Sequence, residues 1–163
     1  MITLSGTYYR MKFLHEAGDI LSPVRSPEGR SHYGGQRALY LSETPEGTQI
    51  ATKIYRKPGD PPRGIFPLLV TGARVVDLRD DEATAALAID TTHRASHWQD
   101  IRARGLPSPT WKISDRVRKL GLDGMLYASR SKPDLTHLTL FRWNALGGAK
   151  VTQAGDPLPD MDH

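Results

Sequence analysis

The segment GLDGMLYAS, residues 121–129, decides the fold prediction because it ends a helical pattern and contains the first of two strand patterns. Apolar side chains recur at helical spacing over residues 111–120, and the glycine that opens the segment is a typical helix stop. The apolar run 125–128 predicts a buried strand, the polar residues 129–134 predict a turn, and residues 136–143 predict a second strand. This arrangement favours an antiparallel pair of strands next to a helix.

The rest of the chain contains the same mixture of patterns. Strand patterns, rich in β-branched and aromatic residues, occupy residues 7–14, 38–42 and 68–78. Helix patterns with capping signals at their starts occupy residues 44–56 and 80–87, and a further helical stretch covers residues 97–104. Because strands and helices do not alternate regularly, we predict an α+β fold with mainly antiparallel strands in two small sheets and flanking helices.

Length and composition predict one domain. The 163 residues are 38% hydrophobic, which suits a single core, and the absence of cysteine excludes disulfides and thiolate chemistry. Residues 1–14 lack the apolar run of a signal peptide, and nowhere do about 18 apolar residues follow one another, so we expect neither secretion nor a membrane span. We therefore expect a cytoplasmic protein.

The surplus of basic residues favours an anionic ligand over a nucleic acid. There are 22 Lys and Arg against 18 Asp and Glu, which gives a net charge of +4. These cations are spread along the chain, whereas nucleic-acid binders usually concentrate them on one element together with aromatic residues. We therefore expect an anionic small molecule or an acidic protein partner, and no direct binding of nucleic acid.

One long loop is a candidate ligand site. Residues 16–36 contain no clear strand or helix pattern, and loops of this length are usually functional. Within it, residues 29–35 could bring backbone amides close to a pyrophosphate while Arg30 binds phosphate oxygens. A plain surface loop is the alternative, since neither of the common phosphate-binding glycine motifs occurs in the chain.

Arg10 and Ser129 are further candidates, and each has an ordinary structural alternative. Arg10 lies in an apolar and aromatic strand, where a permanent charge is costly unless an anion meets it, although an edge-strand Arg can also point to solvent. Ser129 directly follows a buried strand, where sites are often built, although serine is also common in turns. His93 and His97 are four residues apart without a third ligand, so we predict no metal site.

Taken in order, four short motifs resemble those of the RES-domain family, over about residues 8–141. The family has a Tyr-Arg, a Gly-Arg before a glycine-bearing loop, a Tyr-Leu-Ala with a Ser/Thr-Pro-Glu helix start, and a Gly-x-Asp-Gly strand that runs into a serine. The matching segments of this chain are Tyr9–Arg10, Gly29–Arg30 with its loop to Gly35, residues 40–46, and residues 121–129. Two family residues are replaced: the Glu expected eleven residues after Tyr40 is Ala51, and the Asn after the Gly-Arg gives way to His32 at or near its place.

The resemblance implies a fold similar to the diphtheria-toxin type of ADP-ribosyltransferase, in a catalytic domain at residues 1–146 with a polar tail at residues 147–163 that is extended or packed on the surface. It implies NAD+ as the substrate and no metal. The residues implied to bind NAD+ are Arg10, Arg30, His32, Tyr33, Tyr40 and Ser129. Of these, Arg10, Tyr40 and Ser129 are the expected catalytic residues.

Three functions stay open from the sequence. Family members are toxins of toxin–antitoxin pairs, so the first is a mono-ADP-ribosyltransferase toxin with a cognate antitoxin and an intracellular protein acceptor. Ala51 favours it slightly, because without the family Glu the enzyme activates water or phosphate less well. The second is an NAD+ glycohydrolase or phosphorylase toxin, which would need another acid such as Glu43 or Glu46. The third is a non-catalytic binding module.

Overall fold

The computed structural model describes residues 1–160, which contain seven strands and four short α-helices. The strands are β1 (Ile2–Phe13), β2 (Leu39–Ser42), β3 (Arg63–Asp77), β4 (Gly124–Ala128), β5 (Thr136–Leu140), β6 (Lys150–Gln153) and β7 (Leu158–Pro159). The helices are α1 (Pro45–Thr52), α2 (Asp81–Ala86), α3 (Trp98–Ala103) and α4 (Thr110–Lys119), with 3-10 helices at Leu14–Asp19 and Lys53–Tyr55. None of the α-helices exceeds 10 residues, so the strands form the frame of the protein.

Five of these strands close into a barrel. In the order β1, β2, β5, β4, β3 each strand is hydrogen-bonded to the next, and β3 pairs back with β1. The β3–β4 pair is parallel and the other four pairs are antiparallel, so the sheet is mixed. Strands β6 and β7 pair with β3 outside this ring. Closure gives every barrel strand a partner on both sides.

The long strand β3 closes the barrel by pairing with both β1 and β4, and it contains a bulge. Its 15 residues pair with β1, and the register shifts between Leu4 and Gly6, opposite Gly72. Gly72 has a φ of 67°, a conformation that favours glycine, and its amide donates to Ser5 Oγ at 2.9 Å. Bulges increase the bend and twist of a strand. Beyond this bulge β3 still pairs with β1 at residues 73–75, and it pairs with β4 at residues 75–77.

Alternation along the strands separates two hydrophobic cores. Leu68, Leu126 and Leu138 belong to the core inside the barrel. Met125 belongs to a second core, between the outside of the barrel and α4, where it joins Val117. Because successive side chains of a strand point to opposite faces, the outer face of β2, β5 and β4 is free to bind helices or a ligand.

The predicted architecture is wrong. We predicted an α+β fold with mainly antiparallel strands in two small sheets and flanking helices, similar to ADP-ribosyltransferases. The described residues instead form one closed five-stranded barrel with a mixed sheet and few helices. Sequence patterns give the alternation along each strand, but they do not show that β1 pairs with both β2 and β3, and this double pairing closes the barrel.

The end of the described chain packs onto the barrel. Strand β6 pairs with β3, and its Val151 is buried in the inner core. The predicted boundary at residue 146 stays a prediction, and residues 161–163 of the predicted tail lie outside the described residues. None of the helices within residues 1–160 has the length and hydropathy needed to cross a membrane.

Candidate active site

The outer face of the barrel is polar at one end. Cross-strand register places Tyr9 opposite Ser42, Ser42 opposite His137, and His137 opposite Tyr127, so four side chains form one row across β1, β2, β5 and β4. Directly opposite residues share one side of a sheet. The next row contains Tyr40 and Thr139, and Ser129 follows Tyr127 by two residues on the same side. We call these residues, Tyr9, Tyr40, Ser42, Tyr127, Ser129, His137 and Thr139, the polar face.

Tyr40 is fixed in the polar face by the glycine-bearing loop. The Ser31 amide donates to Tyr40 Oη at 3.0 Å, and Tyr40 Oη lies 2.6 Å from His32 Nδ1. His32 Nε2 lies 2.8 Å from the Ser26 carbonyl oxygen, which only accepts, so Nε2 carries the proton and Tyr40 donates to Nδ1. Burial, followed by the neighbouring Tyr127 phenol, raises the pKa of Tyr40. Both hydrogen-bonding positions of this neutral phenol are used, and its half-buried ring is the part that can contact a ligand.

The loop that carries Arg30 packs tightly against α4. Trp111 Nε1 donates to the Gly29 carbonyl oxygen at 2.8 Å. Gly29 is required by this packing, because a Cβ there would lie 2.6 Å from His32 Nδ1 and 2.8 Å from Tyr40 Oη. The loop is therefore held rigidly beside the polar face. This packing explains why the residue before Arg30 is a glycine.

His32 and Tyr33, two of the predicted NAD+-binding residues, use their polar groups within the protein. His32 is 1% exposed and supports Tyr40 from behind. The Tyr33 hydroxyl donates to Asp115 Oδ2 at 2.5 Å, and its ring stacks on Trp111 with 4.5 Å between centroids. The structure thus places Tyr33 on the α4 side of the loop. Direct contact of either residue with NAD+ stays a prediction.

Arg30 approaches the polar face from the loop. Its Nη1 donates to the carbonyl oxygens of Arg94 at 3.2 Å and Ser96 at 2.9 Å. Within residues 1–160, Nε and Nη2 have no hydrogen-bond acceptor and are not fully buried. Burial lowers the pKa of Arg30, and the nearby phenols of Tyr127 and Tyr40 act in the opposite direction. Arg30 therefore presents unused N–H groups next to the polar face, as an anion site requires.

Arg10 lies on the opposite side of its strand from the polar face. It faces the barrel interior together with Tyr8, and its Nη1 donates to the carbonyl oxygens of Ile20 and Ser22, both at 2.7 Å. Burial lowers the pKa of Arg10 to about 10, so the guanidinium stays charged at neutral pH. The structure gives this charge backbone partners and does not bring it together with the other predicted catalytic residues. Its role in NAD+ binding stays a prediction.

Ser129 lies at the point where β4 ends in a turn, and it is 3% exposed. Its amide donates to the Leu135 carbonyl oxygen at 2.9 Å. Its Oγ accepts a long hydrogen bond from the Lys132 amide at 3.4 Å. Neither bond uses the hydroxyl proton, so Ser129 can still donate to a ligand at the polar face.

Five residues of the polar face were missed by the sequence reasoning: Tyr9, Ser42, Tyr127, His137 and Thr139. His137 Nδ1 lies 2.8 Å from Ser42 Oγ, and Tyr127 Oη lies 2.8 Å from Thr139 Oγ1. Burial, followed by the charge of Arg30, lowers the pKa of His137 to about 4, so its imidazole is neutral at pH 7. One signal was present in the sequence, because strand alternation puts His137 and Thr139 on one face of the strand and Leu138 and Leu140 on the other.

No ion pair or hydrogen bond joins a carboxylate to the polar face in the described part of the chain. Ala51, which stands at the family's Glu position, is exposed in the last turn of α1. Glu46 forms an ion pair with Lys132 at 2.6 Å. Residues 1–160 also contain no group of three or more His, Asp or Glu that could hold a metal ion. The polar face therefore combines a cation, phenols, hydroxyls and a neutral imidazole.

A surface cavity of about 510 Å³ lies elsewhere on the molecule, lined by residues 56–63 and Asp160. Ion pairs occupy its walls, with Arg56 2.7 Å from Asp160 and Arg63 2.8 Å from Asp60. It contains no residue of the polar face. The polar face, with its unused N–H and imidazole groups, is the stronger candidate for a functional site.

This chain matches a family sequence model and resembles a solved structure in fold. The sequence model of the RES domain matches residues 7–160. One chain of the crystal structure of the M. tuberculosis MbcT-MbcA toxin-antitoxin complex is similar in fold, with a TM-score of 0.56 and 14% sequence identity over 93% of this chain and 85% of that chain. A search of curated proteins gave no match. Since the sequence model covers residues 7–160 of the 163, the chain belongs to the RES domain family.

Proposed function

We propose that this RES-domain protein cleaves NAD+ and transfers its ADP-ribose to an intracellular protein, as the toxin of a toxin–antitoxin pair. The observation that supports this best is the polar face, where Arg30 adjoins the neutral phenols of Tyr40 and Tyr127 and the neutral imidazole of His137. Such a surface suits a ligand that combines phosphates, ribose hydroxyls and an aromatic ring. NAD+ contains all three.

Each part of NAD+ has a candidate partner. Breaking the bond between nicotinamide and ribose produces an oxocarbenium-like sugar, so both sides of that bond must be held in place. We assign the pyrophosphate to the unused N–H groups of Arg30. We assign the nicotinamide to the ring of Tyr40, which two hydrogen bonds already hold still, and a ribose or amide oxygen to the hydroxyl of Ser129.

The composition of the site favours transfer over hydrolysis. A carboxylate would activate water or phosphate, but Ala51 stands at the family's Glu position and Glu46 is engaged by Lys132. A protein acceptor brings its own nucleophilic group and needs less activation by the enzyme. Hydrolysis or phosphorolysis of NAD+ is the alternative, and the products distinguish the two.

The proposed partner is an antitoxin that covers the polar face. The structural neighbour is a toxin–antitoxin complex, and the net charge of +4 on this chain suits an acidic segment of a partner. The protein would act in the cytoplasm, where NAD+ and the acceptor protein are both present. A complex that forms in solution and slows NAD+ loss would support this assignment.

The test uses purified protein, NAD+ labelled in the adenylate part, and a cell lysate as the source of acceptor. Label on a discrete protein band supports transfer, whereas free ADP-ribose or its phosphorylated form without a labelled band supports the alternative. If wild-type protein neither consumes NAD+ nor labels a protein, the binding-module hypothesis replaces the enzyme.

Matched arginine variants show whether the polar face is the site. Arg30→Gln removes the proposed pyrophosphate contact, and we expect NAD+ affinity to fall by about tenfold or more, since a charge-assisted hydrogen bond contributes roughly 1.5–3 kcal/mol. Arg104→Gln is the control, because Arg104 is exposed. Equal NAD+ affinity in both variants would place the ligand elsewhere.

A further inference from the structure

His137 occupies the middle of the row that crosses the polar face. It lies opposite Ser42 on one side and Tyr127 on the other, and its ring centroid is 5.6 Å from that of Tyr127. The side chain is 7% exposed, so its position is set by packing and by the 2.8 Å contact of Nδ1 with Ser42 Oγ. A buried imidazole with one nitrogen held in this way is oriented, which is what proton transfer requires of a side chain.

The other ring nitrogen, Nε2, has no partner in the described part of the chain. It makes no hydrogen bond or ion pair with any of residues 1–160, and it is not one of the fully buried atoms that lack a partner there. Nε2 therefore reaches the surface of the polar face. When Nδ1 donates to Ser42, the lone pair of Nε2 is directed to whatever binds there.

The charges around His137 keep the imidazole neutral in the free protein. Burial is the larger cause of its lowered pKa, and the charge of Arg30 from the loop is the second. The titratable and charged groups that face it are Arg30, Tyr9 on β1, Tyr40 on β2 and Tyr127 on β4. A bound pyrophosphate would neutralise the field of Arg30, so the ligand itself makes Nε2 more basic.

The phenols beside His137 cannot take its place as a base. Burial raises the pKa of both Tyr40 and Tyr127, so each phenol keeps its proton at pH 7. Arg30 is a cation and has no lone pair to offer. Among these polar-face groups His137 is thus the neutral one that, in the tautomer whose Nδ1 donates to Ser42, has a free nitrogen lone pair.

We propose that His137, positioned by Ser42, accepts the proton of the nucleophile that attacks the ribose of NAD+, the task for which the chain lacks a carboxylate at residue 51. This inference rests on the proposed cleavage of NAD+. The hydroxyl oxygen of the protein acceptor forms a bond with ribose C1′ as its proton moves to His137 Nε2. The bond from C1′ to the nicotinamide nitrogen breaks, and its electron pair neutralises the pyridinium. The imidazolium then releases the proton to solvent.

The test compares His137→Gln with wild type in NAD+ consumption. Positioned general bases contribute roughly 10²–10⁴-fold to a rate, so we expect kcat to fall by at least about 10²-fold while KM changes by less than about threefold. In wild type, kcat should also fall in acid as the pH approaches the pKa of His137, about 4 in the free protein and higher with NAD+ bound. His137→Gln should lack this acid limb.

Imidazole rescue separates a base from a structural residue. Added imidazole should restore part of the activity of His137→Ala, because it can occupy the vacated space and accept the proton. Ser42→Ala keeps the ring but frees it to rotate, and we expect an intermediate loss of kcat. His93→Gln is the control, since His93 is exposed on a turn outside the polar face.

The outcomes distinguish this inference from the proposed function. Without NAD+ consumption by the wild type, both fail. If the wild type is active while His137→Gln retains its kcat and its acid limb, the proposed function stands and the role of His137 is refuted. A loss of kcat in both His137 variants with an unchanged acid limb and no rescue by imidazole also refutes it, because that pattern indicates a structural role.

Discussion

The substitution Tyr40→Phe tests the role of the two hydrogen bonds that the Tyr40 hydroxyl makes. The substitution removes a single oxygen and keeps the ring that we assign to nicotinamide. That oxygen accepts the Ser31 amide at 3.0 Å and donates to His32 Nδ1 at 2.6 Å. Since His32 is 1% exposed, water does not readily replace the lost donor. We therefore expect Tyr40→Phe to be a stability variant with nearly normal ligand binding.

The magnitude follows from the two lost hydrogen bonds. Leaving a buried hydrogen-bond partner unsatisfied costs about 1–3 kcal/mol. Because both hydrogen bonds of Tyr40 are part-buried, the free energy of unfolding should fall by about 2–4 kcal/mol. For a domain of this size, 1 kcal/mol corresponds to about 2–4 °C in Tm. Tyr40→Phe should then melt about 4–16 °C below wild type.

Thermal unfolding followed by circular dichroism measures the first effect, and titration calorimetry with NAD+ measures the second. Tyr55→Phe is the matched control, because Tyr55 is 49% exposed and its hydroxyl accepts only a 3.4 Å contact from Gln99 Nε2. We expect that control to melt within about 2 °C of wild type. Equal Tm values for the two variants, or loss of NAD+ binding in Tyr40→Phe alone without loss of stability, would contradict the hydrogen-bond scheme.

Three further predictions concern the loop, the barrel end and the buried imidazole. Gly29→Ala should destabilise the protein by about 1–3 kcal/mol, because the new Cβ would lie 2.6 Å from His32 Nδ1, whereas Gly18→Ala meets no atom within 4 Å and serves as the control in thermal melts. Arg10→Met should increase amide hydrogen exchange over residues 14–26, since the Ile20 and Ser22 carbonyl oxygens lose their donor; unchanged exchange together with lost NAD+ affinity would instead support direct binding by Arg10. Folding lowers the pKa of His137 from 6.5 to about 4. Between these two pH values the unfolded chain binds more protons than the folded protein, so the free energy of unfolding should fall as the pH falls. The total loss should be on the order of 3 kcal/mol. Urea unfolding of wild type and His137→Gln at pH 7 and pH 4.5 checks this, and a parallel pH dependence in the two proteins would refute it.

The sequence predicted local structure well and its assembly poorly, for a physical reason. Thr44 caps α1 as its pattern predicts, accepting the Gly47 amide at 3.1 Å, because capping depends on residues three positions apart. The barrel depends instead on the pairing of β1 with β3, whose partners, such as Tyr8 and Leu68, are about 60 residues apart. The structure also shows a bulge at Gly72, after which β3 pairs with both β1 and β4.

Arg10 and His137 show why the site was harder to predict than the strands. Arg10 is a charged residue in an apolar and aromatic strand, and this pattern requires a partner inside the protein or in a ligand, whereas His137 was missed. What the pattern does not give is the partner, which the tertiary fold selects: carbonyl oxygens of Ile20 and Ser22 for Arg10, and a serine from the neighbouring strand for His137. Backbone carbonyl oxygens surround the charge of Arg10 in the free protein, whereas the imidazole of His137 has one nitrogen bound and the other at the surface, where a ligand can reach it.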